Sequence, residues 1–152
     1  MISPKTSIAA THVPWNKGRR VGPKPPLKPD EVQAIKLRLK SDGRTRDLAL
    51  FCLAIDSKLR ASDVLRLTVQ DVAEHAVGGE LKMQPRSKTI QKKTRAEVGF
   101  EITPDTQACL RNRIKQSEKL DVDVLFSSVR SGRRSLSTRQ YERLVKDWVQ
   151  LI

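Results

Sequence analysis

Apolar positions recur at helical spacing in four stretches of the chain. Val32, Ile35 and Leu39 lie three and four residues apart and predict a helix over 29–41. Pro29 suits a first helical position, Asp30 and Glu31 favour the positive N-terminal end, and Gly43 stops the run. Leu48, Phe51, Cys52, Ile55 and Leu59 give a broad apolar stripe that predicts a core helix over about 45–57. Thr103-Pro104 is a cap followed by a first-position proline, and it opens a helix with Ala108, Leu110 and Ile114 facing inward. Ser137 with Gln140 three residues on forms a capping box for a last helix. Tyr141, Leu144, Val145, Trp148, Val149 and Ile152 make its apolar side.

Between the second and third helices the pattern shortens. Ser62 reads as the cap of a short helix through Val64, Leu65 and Leu67. Val69 and Val72 lead into a first short strand, and Gly78-Gly79 marks a turn. Thr89–Lys93 and Glu97–Ile102 read as two strands around a tight Thr94-Arg95-Ala96 turn. Asp121–Phe126 is a short connector and Ser131–Arg134 a basic turn. The fold class expected is α+β, mostly helical with a small antiparallel sheet.

Charge changes this picture most. Of 152 residues, 30 are Lys or Arg and 17 are Asp or Glu, a formal net charge of +13. Such an imbalance favours a polyanionic partner. An anionic membrane surface would need a basic amphipathic helix or a lipid signal, and the sequence has neither. Nor does it hold an apolar run of membrane-spanning length. Residues 1–28 carry Lys17, Arg19, Arg20 and other cations with no acid, and five prolines. This composition predicts a flexible basic arm ahead of a domain over 29–152. Trp15 is its one large apolar group, expected to dock on the domain, with stacking on a base as the alternative. Cys52 and Cys109 are the only cysteines, and both fall among apolar helical positions. They read as small buried hydrophobes in a reducing cytoplasm. His12 and His75 have no ligand-spaced neighbours, so no metal site is expected.

Two cations stand out by their setting. An arginine opening a short helix can present its fork to a phosphate in two parallel bonds. A lysine near a hairpin turn can reach into a groove and hand over a proton. Taken singly, Arg60 is more often a surface ion-pair partner and Lys93 a solvated edge-strand residue. Their order along the chain adds weight. Leu59-Arg60-x-Ser62-Asp63-x-Leu65-x-Leu67 comes first, then Gln91-Lys92-Lys93-Thr94 through Phe100-Glu101-Ile102-Thr103, then Ser137-Thr138-Arg139-Gln140-Tyr141. From about Asp30 onward this series resembles the first half of the catalytic domain of the tyrosine recombinases, the phage-integrase family. The first box matches the family's first arginine motif. The second is similar to its catalytic-lysine hairpin, although Arg95-Ala96-Glu97 stands where glycine or proline is usual.

The resemblance implies a partial DNA breaking-rejoining core. In that family a tyrosine attacks a DNA phosphodiester to give a 3′-phosphotyrosyl link, two arginines hold the non-bridging oxygens, and a lysine protonates the departing 5′ oxygen. No cofactor or metal is implied. Carried over, Arg60 is the first phosphate arginine and Asp63 its support. Lys93 is the acid, with Lys92 and Lys88 as rivals. Lys17, Arg19, Arg20, Lys88, Lys92 and Arg95 are the further DNA-binding candidates. No His-x-x-Arg occurs, and Tyr141, the only tyrosine, sits at an apolar helix start that the family gives to packing. The resemblance therefore implies a C-terminally truncated recombinase that binds double-stranded DNA in the cytoplasm and does not cleave it alone. Other recombinase subunits are candidate partners. A complete small DNA-binding accessory protein, an RNA-binding basic protein and a split enzyme are the other readings.

Overall fold

The computed structural model describes residues 17–19, 22, 25–129 and 134–152; Trp15, His12, Arg20 and most of the Ser131–Arg134 turn lie outside them. The first two helices form where the apolar spacing put them, α1 over Pro29–Ser41 and α2 over Thr45–Ser57. The Glu31 carboxylate accepts from the Lys28 amide at 2.7 Å, closing the start of α1. Leu27, assigned by composition to the arm, packs against the core. Helix α2 is the centre of the fold. Ala49, Leu50 and Leu53 are wholly buried, and Phe51 and Cys52 nearly so, which exceeds a single stripe. Ile55, expected inside, is exposed.

Helix α2 ends at Lys58, which takes the left-handed conformation with φ of 53°. Glycine is the usual residue there because a Cβ crowds the following carbonyl. Replacing Lys58 by glycine should raise unfolding free energy by roughly 0.5–1 kcal/mol, the relieved strain less glycine's extra chain entropy. A urea melt checks this; an unchanged or lower midpoint would refute it.

Short elements follow: α3 (Ala61–Val64), α4 (Val69–Val72), β1 (Ala73–His75), β2 (Leu81–Met83), β3 (Arg86–Ile90) and β4 (Glu97–Glu101). One expectation needs correction here. Helix α3 is entered at Arg60 and holds Ser62 within it, so Ser62 is not its cap. Val69 and Val72 do lead into a first short strand, β1, but they form a helical turn of their own before it. The Asp71 carboxylate accepts from the Thr68 amide at 2.7 Å and its hydroxyl at 2.8 Å, and this cap chemistry outweighs the β preference of valine.

The strands form two separate antiparallel pairs, β1 with β2 and β3 with β4. Ser87 faces Phe100 and Thr89 faces Val98 across the second hairpin. The Ser87 hydroxyl donates to the Asp71 carbonyl, pinning β3 to α4. β3 ends at Ile90, so Lys92 and Lys93 stand in the turn and not on the strand. Helix α5 (Pro104–Gln116) packs on α2. Leu110 and Ile114 are buried there, whereas Ala108 is exposed, against expectation. Helix α6 (Thr138–Val149) opens with the expected Ser137–Gln140 box. Trp148 on α6 is 1% exposed, meeting Phe51 edge-on at 5.5 Å and Tyr141 at 6.1 Å.

Candidate functional site

The second hairpin and α3 meet through two hydrogen-bonded links. The first runs through Asp63, whose side chain is fully buried. Its Oδ1 accepts from the Lys92 amide at 2.9 Å and from the Arg66 guanidinium at 3.0 Å. Arg66 also donates to the Ile90 carbonyl at 2.9 Å. A buried carboxylate costs free energy unless so paired, and here the pairing fixes the base of the turn against α3. Asp63 Oδ2 is buried with no hydrogen-bond partner among the described residues.

The second link runs through Gln91. Its Oε1 accepts from the Arg60 guanidinium at 3.4 Å and from the Thr94 hydroxyl at 2.8 Å. Arg60 is thereby oriented toward the turn that carries Lys92 and Lys93. The turn is closed by Gln91 N donating to the Ala96 carbonyl and Arg95 N donating to the Gln91 carbonyl, both at 2.9 Å. Arg95 adopts a left-handed φ of 58°, the geometry a glycine would supply more cheaply.

Arg60, Lys92, Lys93 and Arg95 are all exposed. None takes part in an ion pair among the described residues. Lys88 differs: its ammonium lies 3.1 Å from Glu97 on the facing strand. Of the three hairpin lysines, Lys88 is thus the one held by a carboxylate of its own sheet. Lys17 and Arg19 are exposed, and Arg20 lies outside the described residues. Tyr141 is half-buried against Trp148, and burial holds its phenol above the ordinary value. That is the setting of a packing residue rather than an activated nucleophile.

Gln91 and Arg66 had no role in the sequence reading. A glutamine before two lysines carries no signal of its own, and its bridging position follows only from the folded turn. Among the described residues, no group of three or more metal-ligating side chains converges, and no helix is long and apolar enough to cross a membrane.

Residues 26–152 match the model of the phage integrase family. The chain belongs to that family. It is 30% identical over 120 residues to the probable integrase/recombinase YoeC of Bacillus subtilis (strain 168), covering 78% of this chain and 58% of that protein. Its fold is similar to that of the crystal structure of XerA recombinase, with a TM-score of 0.66 and 20% identity over 86% of this chain. The match covers 44% of the XerA chain. The chain therefore spans somewhat over half of its curated relative and under half of the XerA structure. The integrase-family assignment covers both arms of the hydrogen-bonded arrangement, since Arg60 and the 91–96 turn both fall within the matched residues.

Proposed function

We propose that this chain is the DNA-binding, phosphate-gripping portion of a site-specific tyrosine recombinase and does not cleave DNA by itself. The observation that carries the reading is the Arg60–Gln91–Thr94 link, which holds the Arg60 guanidinium beside a turn bearing two lysines with no ion-pair partner among the described residues. In this reading Arg60 holds the non-bridging oxygens of the scissile phosphate as charge builds on them. Lys93 protonates the departing 5′ oxygen. Asp63 positions both by holding the Lys92 backbone and Arg66. Lys17, Arg19, Lys92 and Arg95 add sequence-independent contacts to duplex DNA. The attacking tyrosine and the second arginine come from a further segment or subunit. No cofactor enters the proposed chemistry, and the compartment proposed is the cytoplasm.

A suicide DNA duplex tests the reading. The chain alone should retain duplex DNA yet form no covalent adduct. Adding a chain that supplies His-x-x-Arg and a tyrosine should yield one. An adduct on Tyr141 with this chain alone would refute the proposal, as would failure to retain duplex DNA.

A second reading is a complete, small, non-catalytic accessory protein. The burial of Trp148 within the chain's own fold favours it, while Val149 and Ile152, 44% and 49% exposed, do not. Absence of any adduct after complementation, with DNA binding intact, would select this reading.

A further inference from the structure

The two cysteines, read from sequence as inert hydrophobes 57 residues apart, meet in space. Cys52 on α2 points its thiol at Cys109 on α5, with the sulfurs 4.0 Å apart. A disulfide bond is about 2.05 Å long, so closure needs roughly 2 Å of approach. The pair is asymmetric. Cys52 is buried and Cys109 half-buried, and both line a groove of about 440 Å³ between α1, α2 and α5. Lys36, Lys40 and Asp105 also line that groove.

We propose that Cys52 and Cys109 are a redox-active dithiol that a small hydroperoxide, entering by this groove, converts to an intramolecular disulfide. Cys109 is the attacking sulfur because it is the more exposed of the two cysteines that line the groove. Its thiolate attacks the peroxide oxygen, an S–O bond forms, the O–O bond breaks, and the departing oxygen leaves as alcohol or water after taking up a proton. Cys52 then attacks the Cys109 sulfur. The S–S bond forms, the S–O bond breaks, and the Cys52 proton leaves with the oxygen as water. Two thiols and one hydroperoxide thus give one disulfide, one water and one alcohol, or two waters from hydrogen peroxide.

The electrostatics agree with that division of labour. The hydrogen bond from Cys52, with help from Lys36, holds the Cys109 thiol below its ordinary value against the opposing effect of burial. The same contact, together with burial, pushes the Cys52 thiol up. Cys109 is therefore the more readily ionised thiol of the two, and Cys52 the proton-bearing partner that resolves the oxidised sulfur.

The closed loop would contain Arg60, Asp63, the 91–96 turn and both hairpins. The bond would staple α2, which leads into Arg60, to α5, whose Thr103 cap already donates to Asp56 near the end of α2 at 2.8 Å. In a reducing compartment such a bond forms only under oxidant and is reversed by thiols.

The test treats the reduced full chain with one equivalent of hydrogen peroxide, followed by intact mass and non-reducing peptide mapping. The expected product is a monomer lighter by two hydrogens, with the peptides of Cys52 and Cys109 linked. Its melting temperature should rise by on the order of 10 °C, as expected for bridging a long loop. Cys52→Ser should stop at a sulfenic acid on Cys109, trapped by dimedone, and Cys52→Ala serves if the serine variant misfolds. Unreacted thiols, disulfide-linked dimers alone, or wild-type Cys109 over-oxidised to sulfinic acid without a link would overturn the proposal.

Discussion

Raising salt from 50 to 200 mM should weaken binding to duplex DNA by about 10³-fold. The magnitude follows from cations without carboxylate partners among the described residues. Arg60, Lys92, Lys93 and Arg95 surround the hairpin turn, and Lys17 and Arg19 precede α1; all six are exposed. If each displaces the counterions of one phosphate, log affinity falls against log salt with a slope near −5, from about −0.9 per contact. Lys88 is left out because Glu97 already holds it. Replacing Arg60 by alanine should make the slope shallower by about one and weaken binding on all sequences alike. Filter binding or fluorescence anisotropy over a salt series measures both. A flat salt response would mean that the net charge of +13 is not directed at phosphates.

Trp148→Ala should cost about 3–5 kcal/mol of unfolding free energy. Its side chain is 1% exposed and wedged between Phe51 of α2 and Tyr141 of its own helix. Truncation removes two edge-to-face contacts and leaves a cavity that α2, central to the core, is poorly placed to fill by collapse. Against a total stability of about 5–15 kcal/mol for a domain, the loss is large enough to populate unfolded chains at 37 °C. Trp148→Phe separates packing from polarity. The indole Nε1 is buried with no acceptor among the described residues, so phenylalanine removes an unsatisfied donor while keeping most of the ring. Its cost should stay below about 1.5 kcal/mol. Urea midpoints at constant slope read both variants. Equal losses for the two would show that α6 is not anchored through this ring.

Helices α1, α5 and α6 were legible in the sequence because two independent signals agreed at each, whereas α2 rested on its apolar stripe alone. Apolar spacing gave the buried face, and Pro29, Thr103-Pro104 and Ser137-Gln140 gave the starts. The middle of the chain was less legible because short elements are decided by single bonds. Thr68 and Asp71 turn a β-branched stretch into a helical turn, and the sequence reading took no account of that capping pair. The end of β3 depends on Arg95 entering the left-handed region, and an arginine gives no warning of that. Ile55 and Ala108 follow helical spacing yet face outward, since periodicity alone does not say how far round a helix its neighbours wrap. At the candidate site, Arg60, Asp63 and Lys93 were singled out through the family resemblance, on motifs in a fixed order. The parts that connect them were not. Gln91 and the Lys92 backbone amide join α3 to the turn through contacts 29 and 31 residues apart, and no local pattern encodes such a contact.

The central claim is that Arg60 and Lys93 act on one phosphate. A double-mutant cycle on duplex DNA affinity tests it directly, with Arg60→Ala, Lys93→Ala and the double variant measured at one low salt concentration. Two cations sharing a phosphate should be coupled, so that the double loss differs from the sum of the single losses by more than about 0.5 kcal/mol. Losses that add within about 0.3 kcal/mol would place the two side chains on separate phosphates and contradict the account.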